Sequence, residues 1–161
     1  KKETAIFAAG CFWGVQFYFD EVPGVLETEA GYTGGHVDNP SYETVCGHGT
    51  GHAEAVKIVY DRSKIGYETL LRQFFRMHDP TQLNRQGPDV GDQYRSAIFY
   101  SSDDQKTKTQ KIIDEFNDKQ FKGKIATTLE PAGKWWSAEN YHQKYSRRTG
   151  HGMCHVPYAP V

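Results

Sequence analysis

The sequence has few cysteines, and they are not arranged as in common cysteine-rich proteins. Cys11, Cys46 and Cys154 are an odd number, they lie far apart, and no Cys-x-x-Cys pair occurs. A secreted disulfide scaffold usually has more cysteines in an even number. Structural zinc sites use closely spaced ligands. The cysteines therefore favour thiol chemistry over a disulfide framework or a structural metal site.

Excess charge and long apolar runs are lacking as well. The formal net charge is −1, with 19 Lys and Arg against 20 Asp and Glu, so no basic surface for nucleic acid or an anionic membrane is expected. No apolar run approaches the roughly 20 residues of a membrane span, and no signal peptide opens the sequence. We therefore expect a cytoplasmic protein and a monomer. Whether it is free-standing or part of a fusion stays open.

The length of 161 residues fits one domain over residues 1–161. Hydrophobic periodicity and Gly or Pro breaks define its elements. Predicted strands span 5–9, 25–32, 53–60, 94–100 and 125–129, and predicted helices span 11–22, 65–78, 102–121 and 137–145. Because strict βαβ alternation is absent, we predict an α+β, two-layer sandwich of the ferredoxin-like plait type. We expect a mobile C-terminal coil from residue 147 onward.

Two long loops, residues 33–51 and 79–93, exceed the usual length of connections in compact domains. Loops of this length are commonly functional. A capping box is predicted at the start of the third helix, where Ser102 and Gln105 would satisfy free backbone amides. The loops are therefore the first places to look for functional side chains.

Residues 10–14 place a cysteine between two glycines and beside two aromatic residues, where a predicted strand gives way to a helix. The free amides and the dipole at a helix N-terminus favour an anion. The pKa of a thiol at such a position falls below its usual value of about 8.5. Cys11 is therefore the candidate nucleophile. The alternative is a structural cysteine buried among core aromatic side chains.

A carboxylate, Glu54, stands at the start of an otherwise apolar strand. Buried glutamate is rare unless it has a partner or a chemical task. Burial disfavours the charged form of a carboxyl group, so Glu54 could hold a proton near neutral pH and act as a general acid. The alternative is a salt-bridged glutamate at a strand end.

The two long loops and the tail contain the other candidates. Tyr42 and Tyr94 carry phenol hydroxyls that could donate to a strongly accepting substrate oxygen, and Asp89 lies close to Tyr94 in sequence. With ten tyrosines in the chain, simple packing is the alternative. We interpret Cys46 as a small buried hydrophobe. Cys154 follows two glycines, which suits a thiol that must travel to another sulfur, although it could also be a stray surface cysteine.

Four segments of the sequence together resemble the A-type peptide methionine sulfoxide reductases. They are Gly10-Cys11-Phe12-Trp13-Gly14, Gly51-His52-Ala53-Glu54, Gln93-Tyr94-Arg95-Ser96 and Ala138-Glu139-Asn140-Tyr141-His142-Gln143. They occur in the family's order and cover nearly the whole chain. Two features depart from the family: a second resolving cysteine is absent, and the run 46–51 contains a histidine, His48, unlike the family's usual loop of Ser, Lys and Asp type.

The resemblance implies a role for each matching residue. Cys11 corresponds to the nucleophile and Glu54 to the proton donor, while Phe12 and Trp13 line the pocket for the substrate methyl group. Cys154 matches the resolving cysteine of the tail.

The same resemblance assigns three further side chains to the substrate oxygen. Tyr42 and Tyr94 correspond to its hydrogen-bond donors, and Asp89 helps to order water and polar contacts there. The family's fold, a two-layer α+β sandwich with a mobile C-terminal coil, agrees with the fold predicted from the pattern of elements.

The implied reaction is reduction of S-epimer methionine sulfoxide, free or in proteins, as repair of oxidative damage. Cys11 attacks, becomes a sulfenic acid and forms a disulfide with Cys154. Thioredoxin, or dithiothreitol in vitro, then reopens the disulfide. The implied partners are thioredoxin and oxidised proteins and peptides, and no bound cofactor is expected.

Two other functions stay open at this level. The first is a metal-binding module, whose candidate ligands lie close in sequence except for the last two: Cys46, His48, His52, Glu54, Cys154 and His155. The second is a cysteine hydrolase, in which Cys11 would act with a histidine base. The sequence does not single out which histidine would serve.

Overall fold

The computed structural model describes residues 2–47, 49–86, 89–145 and 149. Its strands and helices are interleaved along the chain without strict alternation. In order they are β1 (Lys2–Ala9), α1 (Phe12–Asp20), β2 (Val25–Thr33), α2 (Tyr42–Cys46), β3 (Ala53–Asp61), α3 (Tyr67–Met77), β4 (Arg85–Gln86), β5 (Asp89–Val90), β6 (Ser96–Tyr100), α4 (Asp103–Phe116), β7 (Thr128–Pro131) and β8 (Trp136–Ser137). Single turns of 3₁₀-helix lie at Asp92–Tyr94, between β5 and β6, and at Asn140–His142, after β8.

Within the described residues, six strands form one sheet in the order β7-β6-β1-β3-β2-β8. The neighbours among β6, β1, β3 and β2 are antiparallel, and β7 joins β6 in parallel. The short strands β4 and β5 pair separately. The prediction of an α+β fold is confirmed. The finer ferredoxin-like plait stays a prediction, which the β-α-β-β-α-β order of the long elements supports.

The main core lies between the helices and one face of the sheet. Side chains alternate between the two faces of a strand, so Phe7, Val56 and Ile58 join the helices in one apolar cluster. The opposite face has small residues, such as Ala8 and Ala55, in a second cluster. By the same alternation Glu54 lies on the helix-covered face, two residues before Val56 on β3. This placement brings a carboxyl group to the buried side of the sheet.

The register of the sheet brings two polar residues of neighbouring strands together. β2 and β3 pair so that Tyr32 lies directly opposite Glu54. Gly10, which follows β1, has a φ of 93°, a left-handed conformation that an L side chain rarely adopts. The chain therefore turns sharply from β1 into α1 at this glycine.

Three sequence predictions about local structure are wrong. No helix spans 137–145: β8 and a single 3₁₀ turn occupy that segment, because its contacts with β2 and α1 outweigh the helical pattern. The predicted strand 125–129 begins later, at Thr128. The capping box is only half formed, since Ser102 accepts from the Gln105 amide, whereas the Gln105 side chain accepts from Ser101 instead.

Both predicted loops contain short elements that the sequence analysis missed. The first holds α2, whose N-cap Ser41 exchanges hydrogen bonds with Thr44 in a capping box. The second holds β4, β5 and a 3₁₀ turn. Among the described residues, no helix combines the length and apolar character needed to cross a membrane.

Candidate active site

Cys11 is the N-cap residue of α1. Its side chain is buried, with 7% of the residue exposed. The first amides of a helix have no intrahelical acceptor and carry partial positive charge. This position favours the thiolate form of a cysteine. The predicted place of Cys11, between a strand and a helix, is therefore the observed one.

Glu54 reaches the same helix end from the sheet. It is 1% exposed, and its Oε1 accepts the backbone N–H of Phe12 at 3.2 Å. Phe12 follows Cys11 directly, so the carboxyl group lies beside the cysteine. The contact also satisfies one of the free amides of α1. Two candidates separated by 43 residues in sequence thus share one site.

Tyr42 and Tyr94 border this site from the two long loops. Burial raises the pKa of the Tyr42 phenol, and the charge of Glu54 raises it further. Burial likewise raises the pKa of Tyr94, with added contributions from Glu54 and Asp89. Both phenols are therefore protonated at neutral pH and remain hydrogen-bond donors. The electrostatic influence of Glu54 on both hydroxyls shows that these predicted residues converge.

Asp89 lies on β5 and is partly buried. Its negative charge is among the contributions that raise the pKa of Tyr94. A negative neighbour disfavours ionisation of a phenol. Asp89 therefore adds to the raised pKa of Tyr94, which burial chiefly causes.

Cys46 does not have the surroundings predicted for it. It is partly rather than fully buried, and the phenols of Tyr42 and Tyr94 both influence its thiol. Burial raises the pKa of this thiol, although the two phenols lower it. The prediction of a small buried hydrophobe is therefore wrong. Its sulfur is a polar neighbour of the two phenol groups.

Phe12 and Trp13 begin α1 and form an aromatic group with residues from elsewhere in the chain. Phe12 is fully buried, whereas Trp13 is partly buried. The Tyr42 ring stacks on both, with centroid distances of 6.4 Å to Phe12 and 6.1 Å to Trp13. The Trp13 indole also stacks on Tyr145 at 4.0 Å. These rings form one aromatic cluster at the start of α1, directly after Cys11. Their role as a wall for a substrate methyl group stays a prediction.

His142 completes this wall, and the sequence analysis assigned it no role. The Trp13 indole Nε1–H donates to His142 Nδ1 at 2.8 Å, and the His142 ring lies 4.3 Å from that of Tyr42. Its place inside the motif 138–143 was the available signal. Contacts between residues a hundred or more positions apart could not be read from spacing.

The protonation of His142 bears on the hydrolase alternative. Burial lowers the pKa of its imidazole, although the Glu139 charge opposes this, so the ring is neutral at neutral pH. Since Nδ1 accepts from Trp13, the proton of the neutral ring is assigned to Nε2. No lone pair is then left to take a proton from Cys11. His142 is not a base for a cysteine hydrolase.

One candidate ligand of the metal-binding alternative, His52, is already engaged by the backbone. His52 accepts the Gly35 N–H at Nδ1 and contacts the Val37 carbonyl through Nε2 at 2.7 Å, so both ring nitrogens are used by the backbone. Within the described part of the chain, no group of three or more His, Cys, Asp or Glu side chains could hold a metal ion. His48, His155 and the predicted resolving residue Cys154 lie outside the described residues.

The class of protein that this fold and site define is a cysteine-dependent enzyme. A family model described as peptide methionine sulfoxide reductase matches residues 3–161. The chain belongs to that family, and comparisons with its members place it with the A type.

Two relatives illustrate the similarity. The peptide methionine sulfoxide reductase MsrA of Acidobacterium capsulatum is 51% identical over 153 residues, which cover 94% of this chain and 98% of the relative. MsrA of Methanothermobacter thermautotrophicus is 48% identical over 159 residues, 97% of this chain and 93% of the relative. Identity at this level over nearly the full length confirms the resemblance seen in the four motifs.

Solved protein structures also resemble this chain. Mxr1 from Saccharomyces cerevisiae in its reduced form has a TM-score of 0.90 and 37% identity, over 99% of this chain and 90% of Mxr1. Mxr1 in complex with Trx2 matches with a TM-score of 0.65 and 26% identity, over 90% of this chain and 85% of Mxr1. The described fold is therefore that of known methionine sulfoxide reductases.

Proposed function

We propose that this chain reduces the S epimer of methionine sulfoxide, free or in proteins, to methionine. The hydrogen bond from the Phe12 amide to Glu54 carries this proposal, because it holds a carboxyl group beside Cys11. Sulfoxide reduction needs a thiol to attack sulfur and a proton for the departing oxygen. The site supplies both from neighbouring groups.

The first step transfers the sulfoxide oxygen, as a hydroxyl group, from the substrate sulfur to the sulfur of Cys11. The Cys11 thiolate attacks the sulfoxide sulfur and Glu54 donates a proton to the oxygen. The substrate sulfur–oxygen bond then breaks as a sulfur–oxygen bond forms at Cys11. Methionine leaves with its sulfur reduced by two electrons, and Cys11 is oxidised to a sulfenic acid. Tyr42 and Tyr94 donate hydrogen bonds to the oxygen as negative charge develops there.

The second step regenerates the enzyme. The thiol of Cys154 attacks the Cys11 sulfenic acid, water leaves, and a disulfide forms. A dithiol such as thioredoxin then reduces this disulfide by thiol–disulfide exchange. The structure of Mxr1 with Trx2 supports such a partner. Every electron in this cycle comes from thiols, so we propose no bound cofactor.

We propose that the reaction takes place in the cytoplasm. The cycle depends on a partner that stays reduced, and thioredoxin and glutathione keep thiols reduced in that compartment.

Selectivity for one epimer follows from the proposed pocket. Phe12 and Trp13 would hold the methyl group, and Asp89 would order polar contacts at the rim, while the phenols fix the oxygen. A chiral sulfur has only one arrangement that satisfies all of these contacts. The S epimer is the one implied by membership of the A type.

A racemic peptide sulfoxide tests this proposal. The enzyme with dithiothreitol should convert about half of the racemate, and chromatography should show that only the R epimer remains. Cys11→Ser should release no methionine, because a hydroxyl is almost wholly protonated at neutral pH. Thermal unfolding of Cys11→Ser serves as the folding control. Retained activity in this variant, or consumption of both epimers, would contradict the proposal.

A further inference from the structure

Glu139 connects two distant parts of the chain at the edge of the site. It is the residue before the 3₁₀ turn Asn140–His142. Its Oε1 accepts the hydroxyl of Tyr32 at 2.8 Å, and its Oε2 accepts the backbone N–H of Tyr42 at 3.0 Å. Both oxygens of one carboxylate are thus used, one by the sheet and one by the start of α2.

The Tyr32 side of this link is fixed. Tyr32 is fully buried, lies opposite Glu54 in the sheet, and packs its ring 5.6 Å from that of Phe12.

Burial opposes ionisation of Glu139, but hydrogen bonds from Tyr42, Glu139's own amide and Tyr32 lower its pKa. The carboxylate is therefore charged, and charged hydrogen bonds are stronger than neutral ones.

The Tyr42 side of the link is the start of a short helix. Tyr42 is the first residue of the five-residue helix α2, in the long connection between β2 and β3. The first amides of a helix lack intrahelical acceptors. Ser41 takes the Thr44 amide, and Glu139 takes that of Tyr42. Without Glu139, the Tyr42 amide would lose this acceptor and its hydrogen-bonded connection to Tyr32 of the sheet, although the ring contacts of Tyr42 would remain.

We propose that Glu139 is a positioning residue: it holds the backbone of Tyr42 so that the phenol hydroxyl stands where the sulfoxide oxygen binds. This inference rests on the proposed function of Tyr42 as a donor to that oxygen. Displacement of a donor by about 1 Å can cost roughly 10²-fold in rate. Glu139 can therefore affect the reduction step through the position of Tyr42, although it does not contact the substrate.

Two substitutions distinguish a positioning role of Glu139 from a general role in the stability of the fold. Glu139→Ala removes both hydrogen bonds and should slow methionine release in a single turnover by about tenfold to a hundredfold. Glu139→Gln should keep most of the rate, because its amide oxygen still accepts from the Tyr42 amide while its NH₂ group donates to the Tyr32 oxygen. Alkylation of Cys11 by iodoacetamide should proceed at the parental rate in both variants.

A double-mutant cycle with Tyr42→Phe identifies the route of the effect. Since Glu139 acts through the phenol, Glu139→Ala should add little further loss when Tyr42 is already phenylalanine. An equal loss in both backgrounds would overturn the inference. So would a parental rate for Glu139→Ala when Tyr42→Phe is slow. A parental rate for Tyr42→Phe alone would remove the proposed donor and this inference together.

Folding is followed by thermal unfolding of each variant. If Glu139→Ala does not fold, Glu139→Asp replaces it, because its shorter side chain cannot span Tyr32 and Tyr42 at once. Glu139→Asp should then be slow where Glu139→Gln is not. Parental rates for both Glu139→Asp and Glu139→Gln would overturn the inference.

Discussion

The backbone amide of Phe12 donates to Glu54 Oε1 at 3.2 Å, which ties the first turn of α1 to β3 next to Cys11. The carboxyl group therefore has two roles that substitution can separate. One is to satisfy an amide at the start of the helix. The other, which we propose, is to supply the proton for the departing oxygen.

Glu54→Gln should keep the first role and lose the second. Its amide oxygen can accept from Phe12, but its NH₂ group is not an acid. Since a general acid contributes about 10²–10⁴-fold, single-turnover methionine release should slow by a factor in that range. The midpoint of thermal unfolding should change little. A parental rate would mean that the proton comes from Tyr42, Tyr94 or water.

Glu54→Ala should lose both roles. The Phe12 amide is then left buried without its acceptor, which costs about 1–3 kcal/mol in the free energy of unfolding. Urea unfolding of this variant beside Glu54→Gln measures the difference. Equal stabilities for the two variants would contradict a structural part for the hydrogen bond.

The raised pKa values of Tyr42 and Tyr94 predict how the reaction responds to alkali. A phenol donates only below its pKa, and burial raises both pKa values above the ordinary value of about 10. Ionisation of these two phenols should therefore cause no fall of the single-turnover rate near pH 10. If the parental rate falls with a midpoint near pH 10 and the rate of Tyr94→Phe does not, the Tyr94 hydroxyl ionises as it would in water.

The contact between Trp13 and His142 predicts a response to acid. Burial lowers the pKa of His142 from 6.5, so the unfolded chain binds a proton at a higher pH than the folded one. The stability due to the neutral ring is present above about pH 6.5 and is lost as the pH falls toward the lowered pKa. Protonation also ends acceptance of the indole N–H.

Tryptophan fluorescence and urea unfolding measure this response. Below about pH 6.5 the parent should lose stability, and its fluorescence should change as Trp13 is released. His142→Gln retains an acceptor that does not titrate, so it should show a smaller pH dependence. Trp13→Phe is the control for the fluorescence change, because Trp135 and Trp136 remain. The same pH profile in the parent and in His142→Gln would contradict the assignment.

Cys154→Ser should separate reduction from recycling. With thioredoxin as reductant, the variant should release one equivalent of methionine per enzyme and then stall, because Cys11 stays a sulfenic acid. Dimedone should label Cys11 in the variant and much less in the parent. Turnover at the parental rate would mean that Cys46, or no thiol of this chain, resolves the sulfenic acid.

Much of the fold was predictable because its causes are local. The apolar run before Gly10 and the periodicity of Phe12, Val15 and Phe19 predicted β1 and α1 near their observed limits. The same reasoning failed for 137–145, where pairing of β8 with β2 prevails over a helical pattern. It also missed α2, since five residues are too few for a periodic signal.

The sequence by itself determined that a cysteine stands at the start of a helix, and its motifs predicted the family that the comparisons confirmed. Only the tertiary structure decided what surrounds that cysteine. Glu54 meets the Phe12 amide through sheet packing, and Glu139 meets Tyr42 across 97 positions. Periodicity reports which face of one element is buried. It carries no information about which distant groups share that face.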